Sequence, residues 1–136
     1  MSMTGAIDCD VHPSAPDMKS LEPSLDDFWR KTVEERVINS LETVTYPPNA
    51  PLTARPEWRD KNGRAATAAA ELTAQVCDRW GAGVAILNCL YGVGLLFSED
   101  MAAAFTRALN DWVAKEWLHR DPPVRALIVP APQKPG

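Results

Sequence analysis

The sequence has 136 residues, which is enough for one domain with a hydrophobic core. Its formal net charge of -4, without a basic patch, disfavours binding to nucleic acid or to an anionic membrane surface. No apolar run approaches the ~18 residues of a membrane span, and no secretory signal peptide is visible. The three cysteines lack CxxC spacing, so we expect reduced thiols in a cytoplasmic protein.

The first half of the chain predicts one strand and one helix. A short strand over residues 5–11 is followed by the segment SAPDMKSLEPS, which is predicted as a loop. Ser24 is expected to cap a helix over 25–41 that carries apolar residues at helical spacing. The proline-rich residues 46–60 show no periodicity and predict a long irregular excursion.

A second helix is predicted over 65–80, with Gly81 and Gly83 ending it. The run VAILNCL at 84–90 follows these glycines and is apolar without alternation. Such a run is typical of a strand buried on both faces, as in a parallel sheet.

Ser98 is expected to cap a third helix over 99–118, and the run VRALIV at 124–129 predicts a third strand. The element order is then strand, excursion with a helix, helix, strand, helix, strand. This order predicts an α/β fold with a parallel sheet.

The segment IDCDVHP, residues 7–13, concentrates ionisable side chains on one predicted strand. Because side chains alternate along a strand, Asp8, Asp10 and His12 share one face. Three ionisable groups on one face are costly to bury unless something pairs with them, and a cation would do so. The alternative is a strand at the N-terminus with a solvated acidic face.

Three segments resemble the amidohydrolase-related family, in the branch that contains aminocarboxymuconate-semialdehyde decarboxylase. They are IDCDVHP, DRWGAGVAILNCLYGVG and ALNDWVAKEWLHRDPPVRALIVPAPQ, and together they span most of the chain. The resemblance implies a (β/α)8 TIM-type barrel. Residues 1–136 would then be a single, incomplete metal-dependent hydrolase domain with about three of the eight strands.

The resemblance maps a metal-ligand motif onto Asp10 and His12. A carboxylate and an imidazole suit zinc, and also manganese. Asp8 would lie beneath these ligands as a supporting partner. The further His and Asp ligands of the family are not found in this sequence, and His119 is expected to interact with a helix C-terminus instead.

Residues at the end of the second strand are candidates for a substrate pocket, because polar groups at barrel strand ends tend to face the substrate. Asn88 and Tyr91 are the two candidates, although Asn88 would also suit a hydrogen bond that closes the turn. Cys89 is expected to be a buried apolar residue. The excursion, with Tyr46, Arg55, Trp58 and Arg59, would either cover the site and bind a carboxylate or form a surface loop.

The resemblance implies a metal-dependent hydrolase or non-oxidative decarboxylase acting on a small carboxylate or carbonyl compound, while the charge and the apolar runs predict no nucleic acid or membrane partner. The alternative is a truncated, catalytically incompetent chain or an interaction module of the same family. In that case we expect weak metal binding. We also expect the open, apolar edge of the third strand to cause either aggregation or pairing with another chain, as in a homo-oligomer.

Overall fold

The structure, a computed structural model, describes residues 5–14, 16–41, 54–119 and 123–130. Its helices and strands, in chain order, are β1 (Ala6–Val11), α1 (Met18–Leu21), α2 (Asp27–Glu35), α3 (Ala69–Leu72), β2 (Ala82–Leu87), α4 (Glu99–Val113) and β3 (Val124–Ala126). Helices α3 and α4 each continue as a π-helical segment, at Thr73–Asp78 and Ala114–Leu118. Short 3-10 turns occur at Glu22–Ser24, Pro56–Trp58 and Gly92–Leu95.

The three strands form one parallel sheet in the order β1-β2-β3. Ala6 pairs with Ala82 where β1 and β2 begin, and Val11 pairs with Leu87 where both end. This arrangement confirms the predicted parallel sheet and its strand order. The described strands form an open sheet, so they do not by themselves show a closed barrel.

Burial differs sharply between the central strand and the first strand. In β2, Ala85 is 0% and Leu87 1% exposed, which confirms a buried strand within the apolar run, although the strand begins at Ala82 and ends at Leu87 and not at residue 90. In β1, only Val11 is buried, whereas Ile7 is 57% exposed and Cys9 is also exposed. The apolar face of β1 is therefore mostly uncovered in the described part of the chain.

Helix α2 is shorter than the predicted helix over 25–41 and begins after a different cap. Its N-cap is Asp26, not Ser24, because the Asp26 Oδ1 accepts a hydrogen bond from the Trp29 backbone N–H. Val37, at φ +52°, ends the helix in the left-handed conformation. The Ile38 N–H bonds to the Val33 carbonyl at 3.0 Å, the pattern that usually places glycine where Val37 stands.

Two other predicted boundaries also change. Asp17 caps the short helix α1 inside the segment predicted as a loop, since its Oδ1 accepts the Ser20 N–H. Helix α3 begins at Ala69 and not at residue 65, because Ala66, at φ +52°, cannot be part of a right-handed helix. Gly81, at φ +70°, donates its N–H to the Cys77 carbonyl and so ends this helix as predicted.

The third predicted helix is confirmed with its cap, because the Ser98 Oγ accepts the Met101 N–H at 3.3 Å. Strand β3 is shorter than the predicted 124–129. The Leu127 N–H still bonds to the Leu87 carbonyl, but two residues later Val129 bonds to the Asn110 side chain instead of to a strand.

The chain divides into two compact units, each with its own buried side chains. The first unit contains the sheet, α3 and the π-helical segment after α4, and buries Val11, Leu72, Leu87, Trp117 and Val124, among others. The second unit contains α1, α2 and α4 up to residue 112, and buries Leu21, Val33, Val93, Phe105 and Leu109, among others. None of the described helices has the length and apolar content that crossing a bilayer requires.

Candidate metal centre

The imidazole of His12 is fixed at the carboxyl end of the sheet. His12 directly follows the last residue of β1, and its Nδ1 lies 2.9 Å from the carbonyl oxygen of Asn88, which directly follows β2. A carbonyl oxygen can only accept, so Nδ1 carries the proton and donates it. In the neutral ring, the lone pair is therefore on Nε2.

Asp10 supplies a carboxylate at the same point. Its Oδ1 lies 3.2 Å from the His12 Nε2, which confirms that the two side chains project to the same side of β1. When Nε2 carries a lone pair, this contact joins two acceptor atoms. It is favourable when a proton or a metal cation lies between them.

The separation of these two atoms fits a shared metal ion. Zinc lies about 2.0–2.1 Å from an imidazole nitrogen and about 2.0–2.2 Å from a carboxylate oxygen, so two such ligands at angles of about 90–110° are about 2.8–3.5 Å apart. The observed 3.2 Å falls within this range. A carbonyl that binds the opposite ring nitrogen is a usual second contact of a metal-ligating histidine.

Among the described residues, only Asp10 and His12 are placed together as candidate metal ligands. Across the described ranges, no group of three or more His, Cys, Asp or Glu side chains is placed to hold a metal ion. The Asp10 side chain is 89% exposed and that of His12 is 27% exposed, so the pair can be reached from solvent. The residues present therefore fit two positions in a metal's coordination shell.

The Asp8 side chain contacts the backbone of Asp10 and not the Asp10 carboxylate. The Asp8 Oδ1 accepts the Asp10 N–H at 3.1 Å, next to the irregular register between β1 and β2. This hydrogen bond restrains the backbone of Asp10. The supporting role predicted for Asp8 beneath the metal ligands stays a prediction.

The two candidate pocket residues have different surroundings. Asn88 is half-buried, and its backbone closes the strand end in two ways, accepting from His12 and donating to the Val11 carbonyl at 2.7 Å. Tyr91 is only 2% exposed and belongs to the second unit, where its hydroxyl accepts the Leu41 N–H. Cys89 is buried, as predicted.

The described part of the excursion lies at the other end of the sheet. The Arg55 guanidinium lies 5.3 Å from the Trp58 ring centre and 5.5 Å from that of Trp80, which precedes the start of β2. Arg59 bonds to the Ala54 carbonyl through two nitrogens. These contacts favour the surface-loop alternative for residues 54–60, whereas Tyr46 lies outside the described residues.

The described parallel sheet carries a carboxylate and an imidazole at its carboxyl edge, where α/β enzymes usually hold their active sites. A family model described as Amidohydrolase matches residues 7–136. The chain therefore belongs to the amidohydrolase family, a family of hydrolases whose members usually bind divalent metals. A search of curated proteins returns no match.

Proposed function

We propose that Asp10 and His12 are ligands of a divalent metal, zinc or manganese, in a hydrolase or non-oxidative decarboxylase. The 3.2 Å approach of the His12 Nε2 to the Asp10 Oδ1 carries this proposal, because the opposite ring nitrogen is already engaged. The substrate would be a small carboxylate or carbonyl compound. The sequence resemblance supports the aminocarboxymuconate-semialdehyde decarboxylase-like branch, and three cysteines without CxxC spacing support a cytoplasmic protein.

A metal ion bound here would polarise a carboxylate or carbonyl oxygen, or activate a water molecule. The chain's own contribution is orientation and charge. His12, held by the Asn88 carbonyl, presents the Nε2 lone pair, and Asp10 offsets part of the positive charge of the metal. Asp8 restrains the Asp10 backbone, so the carboxylate leaves the strand in a defined direction.

We propose Asn88 as the residue that contacts the substrate, because it is half-buried at the strand end that carries the His12 anchor. Its amide is able to donate to a substrate carboxylate. Tyr91 is the weaker pocket candidate, since its hydroxyl already accepts the Leu41 N–H and the ring is 2% exposed.

Calorimetric titration with zinc and with manganese tests the ligand assignment. Two protein ligands leave most of the coordination shell to water, so we expect one metal ion per chain and a dissociation constant above about 1 µM. Asp10→Ala and His12→Ala should each weaken binding by at least about tenfold, because each removes one of the two ligands.

The matched controls are Asp111→Ala and His119→Ala, which make the same substitutions at exposed positions on α4 and just after the π-helical segment that follows it. Both should bind zinc like the unaltered chain. Equal binding by all four variants would contradict the assignment of Asp10 and His12.

The reaction class is tested by supplying the metal-loaded chain with small aromatic carboxylic acids and with esters or amides of matching size. Decarboxylation releases carbon dioxide and takes up a proton, whereas hydrolysis releases a carboxylic acid. Turnover of either kind should disappear in His12→Ala and persist in His119→Ala. Turnover that survives in His12→Ala would contradict the proposed site.

A further inference from the structure

The segment that follows β1 is fixed by burial and hydrogen bonds immediately after His12. Pro13 is fully buried, and Ser14 makes two hydrogen bonds to a distant segment of the same unit. The Ser14 N–H donates to the Ala66 carbonyl at 2.9 Å, and the Ser14 Oγ donates to the Ala65 carbonyl at 2.8 Å. Ser14 is thus anchored through both its backbone and its side chain.

The partner segment adopts an unusual backbone conformation to receive Ser14. Ala66 has φ +52°, a left-handed conformation that a side chain with a Cβ disfavours. In an extended chain, consecutive carbonyls point to opposite sides, whereas a helical turn of either hand points them the same way. With Ala66 in this conformation, both carbonyls accept hydrogen bonds from Ser14.

These bonds restrain the residue that precedes Pro13. His12 lies beyond the last residue of β1, so its ring depends on the path of the chain between Val11 and Ser14. At one end of this path the Val11 carbonyl accepts the Asn88 N–H at 2.7 Å. The other end is Ser14.

We propose that Ser14 is a positioning residue for His12: its bonds to Ala65 and Ala66 hold the imidazole with Nδ1 on the Asn88 carbonyl and Nε2 toward Asp10. The inference rests on the proposed function for the statement that Nε2 binds a metal. It does not rest on that function for the orientation of the ring, which the hydrogen bonds of His12 and Ser14 define.

The metal-free test is NMR of the imidazole nitrogens at alkaline pH, where the neutral ring reports which nitrogen carries the proton. The unaltered chain should show His12 protonated at Nδ1. Ser14→Ala should shift His12 toward a mixture of both tautomers, and Ser14→Thr, which keeps the hydroxyl, should restore the Nδ1 form.

The matched control is Ser20→Ala, which also removes one serine hydroxyl hydrogen bond, the one from the Ser20 Oγ to the Asp17 Oδ1 in the second unit. It should leave the His12 tautomer unchanged. Zinc titration of the same variants should show about tenfold weaker binding for Ser14→Ala and none of this loss for Ser14→Thr or Ser20→Ala.

Ala66 gives an independent pair of variants. Ala66→Gly accepts the left-handed conformation without strain, so the His12 tautomer should remain as in the unaltered chain. Ala66→Val places a β-branched side chain at that φ and should reproduce the effect of Ser14→Ala. This pair tests the anchor without altering Ser14.

The two proposals fail in different ways. An unchanged His12 tautomer in both Ser14→Ala and Ala66→Val would overturn the positioning role, whatever the zinc titrations give. Zinc binding that is lost in His12→Ala but kept in Ser14→Ala would overturn it as well and leave the proposed function intact. Zinc binding that is unaffected by Asp10→Ala and His12→Ala would overturn the metal assignment, while the NMR result would still decide how the ring is held.

Discussion

The two ends of the parallel sheet are held together by different kinds of contact. At the carboxyl end, polar side chains bond to backbone carbonyls, as His12 does with Asn88 and Ser14 does with Ala65. At the amino end, glycine backbones approach each other and aromatic rings stack on Arg55. The carboxyl end therefore presents polar and ionisable side chains, whereas the amino end consists of close packing contacts.

The glycine contact shows how closely the amino end is packed. A Cβ added to Gly5 would lie 2.5 Å from the Gly81 carbonyl oxygen, 2.9 Å from the Gly83 Cα and still closer to the Gly83 nitrogen. These are backbone atoms and cannot move aside as a flexible side chain would. The start of β1 therefore reaches β2 only because residue 5 lacks a side chain.

This contrast follows the division of labour in parallel α/β folds, where residues at the carboxyl ends of strands carry function and those at the amino ends carry stability. If it holds here, substitutions at the amino end should lower the free energy of unfolding and leave metal binding by the folded chain unchanged. Substitutions of Gly5, Arg55 and Asp60 are expected to have three effects of decreasing size.

The largest effect is expected for Gly5→Ala. The added methyl group would force the two strands apart, and overpacking of this kind typically costs about 1–3 kcal/mol. Urea unfolding measures this loss, and zinc titration of the folded fraction should remain unchanged.

Gly83→Ala is the matched control, because a Cβ there meets its nearest atom, the Gly5 Cα, at 3.4 Å, an ordinary contact. Gly83→Ala should lower the free energy of unfolding clearly less than Gly5→Ala does. If both variants lose the same free energy of unfolding, the close approach of Gly5 to Gly81 and Gly83 does not matter for stability. If Gly5→Ala also loses zinc binding, the two ends of the sheet are not functionally separate.

Arg55→Ala should have the next largest effect. The guanidinium lies over both Trp58 and Trp80, and a cation–π contact at an exposed site is worth about 0.5–1 kcal/mol. We therefore expect a loss of about 1–2 kcal/mol in urea unfolding.

Arg30→Ala serves as the control, since the Arg30 side chain is similarly exposed, at 49% against 53%, and pairs with the exposed Asp27. Such a surface pair contributes about 0.5 kcal/mol or less. If the two variants lose the same stability, the stacking of Arg55 adds nothing to a simple surface charge.

Much of this arrangement could be predicted from the sequence. The apolar runs predict the strands, and the rule that parallel strands need crossover helices predicts their order, which the pairing of β1, β2 and β3 confirms. The two-residue period of a strand predicts that Asp10 and His12 meet, as they do. These features depend on side-chain patterns that can be read directly.

What could not be predicted depends on backbone geometry. Val37 ends α2 and Ala66 delays α3, both with φ +52°, and neither residue type signals a left-handed conformation. The Asn88 group that holds His12 is a backbone carbonyl. Because every residue has one, the residue type at position 88 does not predict this hydrogen bond. The sequence leaves Arg55 either over the site or on a surface loop, because its attachment depends on Trp80, whose position at the amino end only the fold determines.

The segment between Arg55 and Ala65 connects the two ends of the sheet, and a turn at Asp60 shapes it. The Asp60 Oδ1 accepts the Asn62 N–H at 2.8 Å and the Arg64 N–H at 2.9 Å. The backbone hydrogen bond from Arg64 is the main reason that the pKa of Asp60 lies below its ordinary 3.8. The carboxylate is ionised in the folded chain at neutral pH, and its charge strengthens these bonds.

Asp60→Asn is expected to have the smallest effect of the three, because it keeps an oxygen acceptor and removes only the charge. Since folding lowers this pKa, the charge contributes stability that is fully present above pH 3.8 and is lost as the pH falls through the lower folded-state pKa. The urea midpoint of Asp60→Asn should therefore lie below that of the unaltered chain at neutral pH, and the two should converge in acid. Asp111→Asn, which removes the same charge from an exposed position on α4, is the control. A difference between Asp60→Asn and the unaltered chain that persists unchanged into acid would mean that the turn depends on the shape of the side chain and not on its charge.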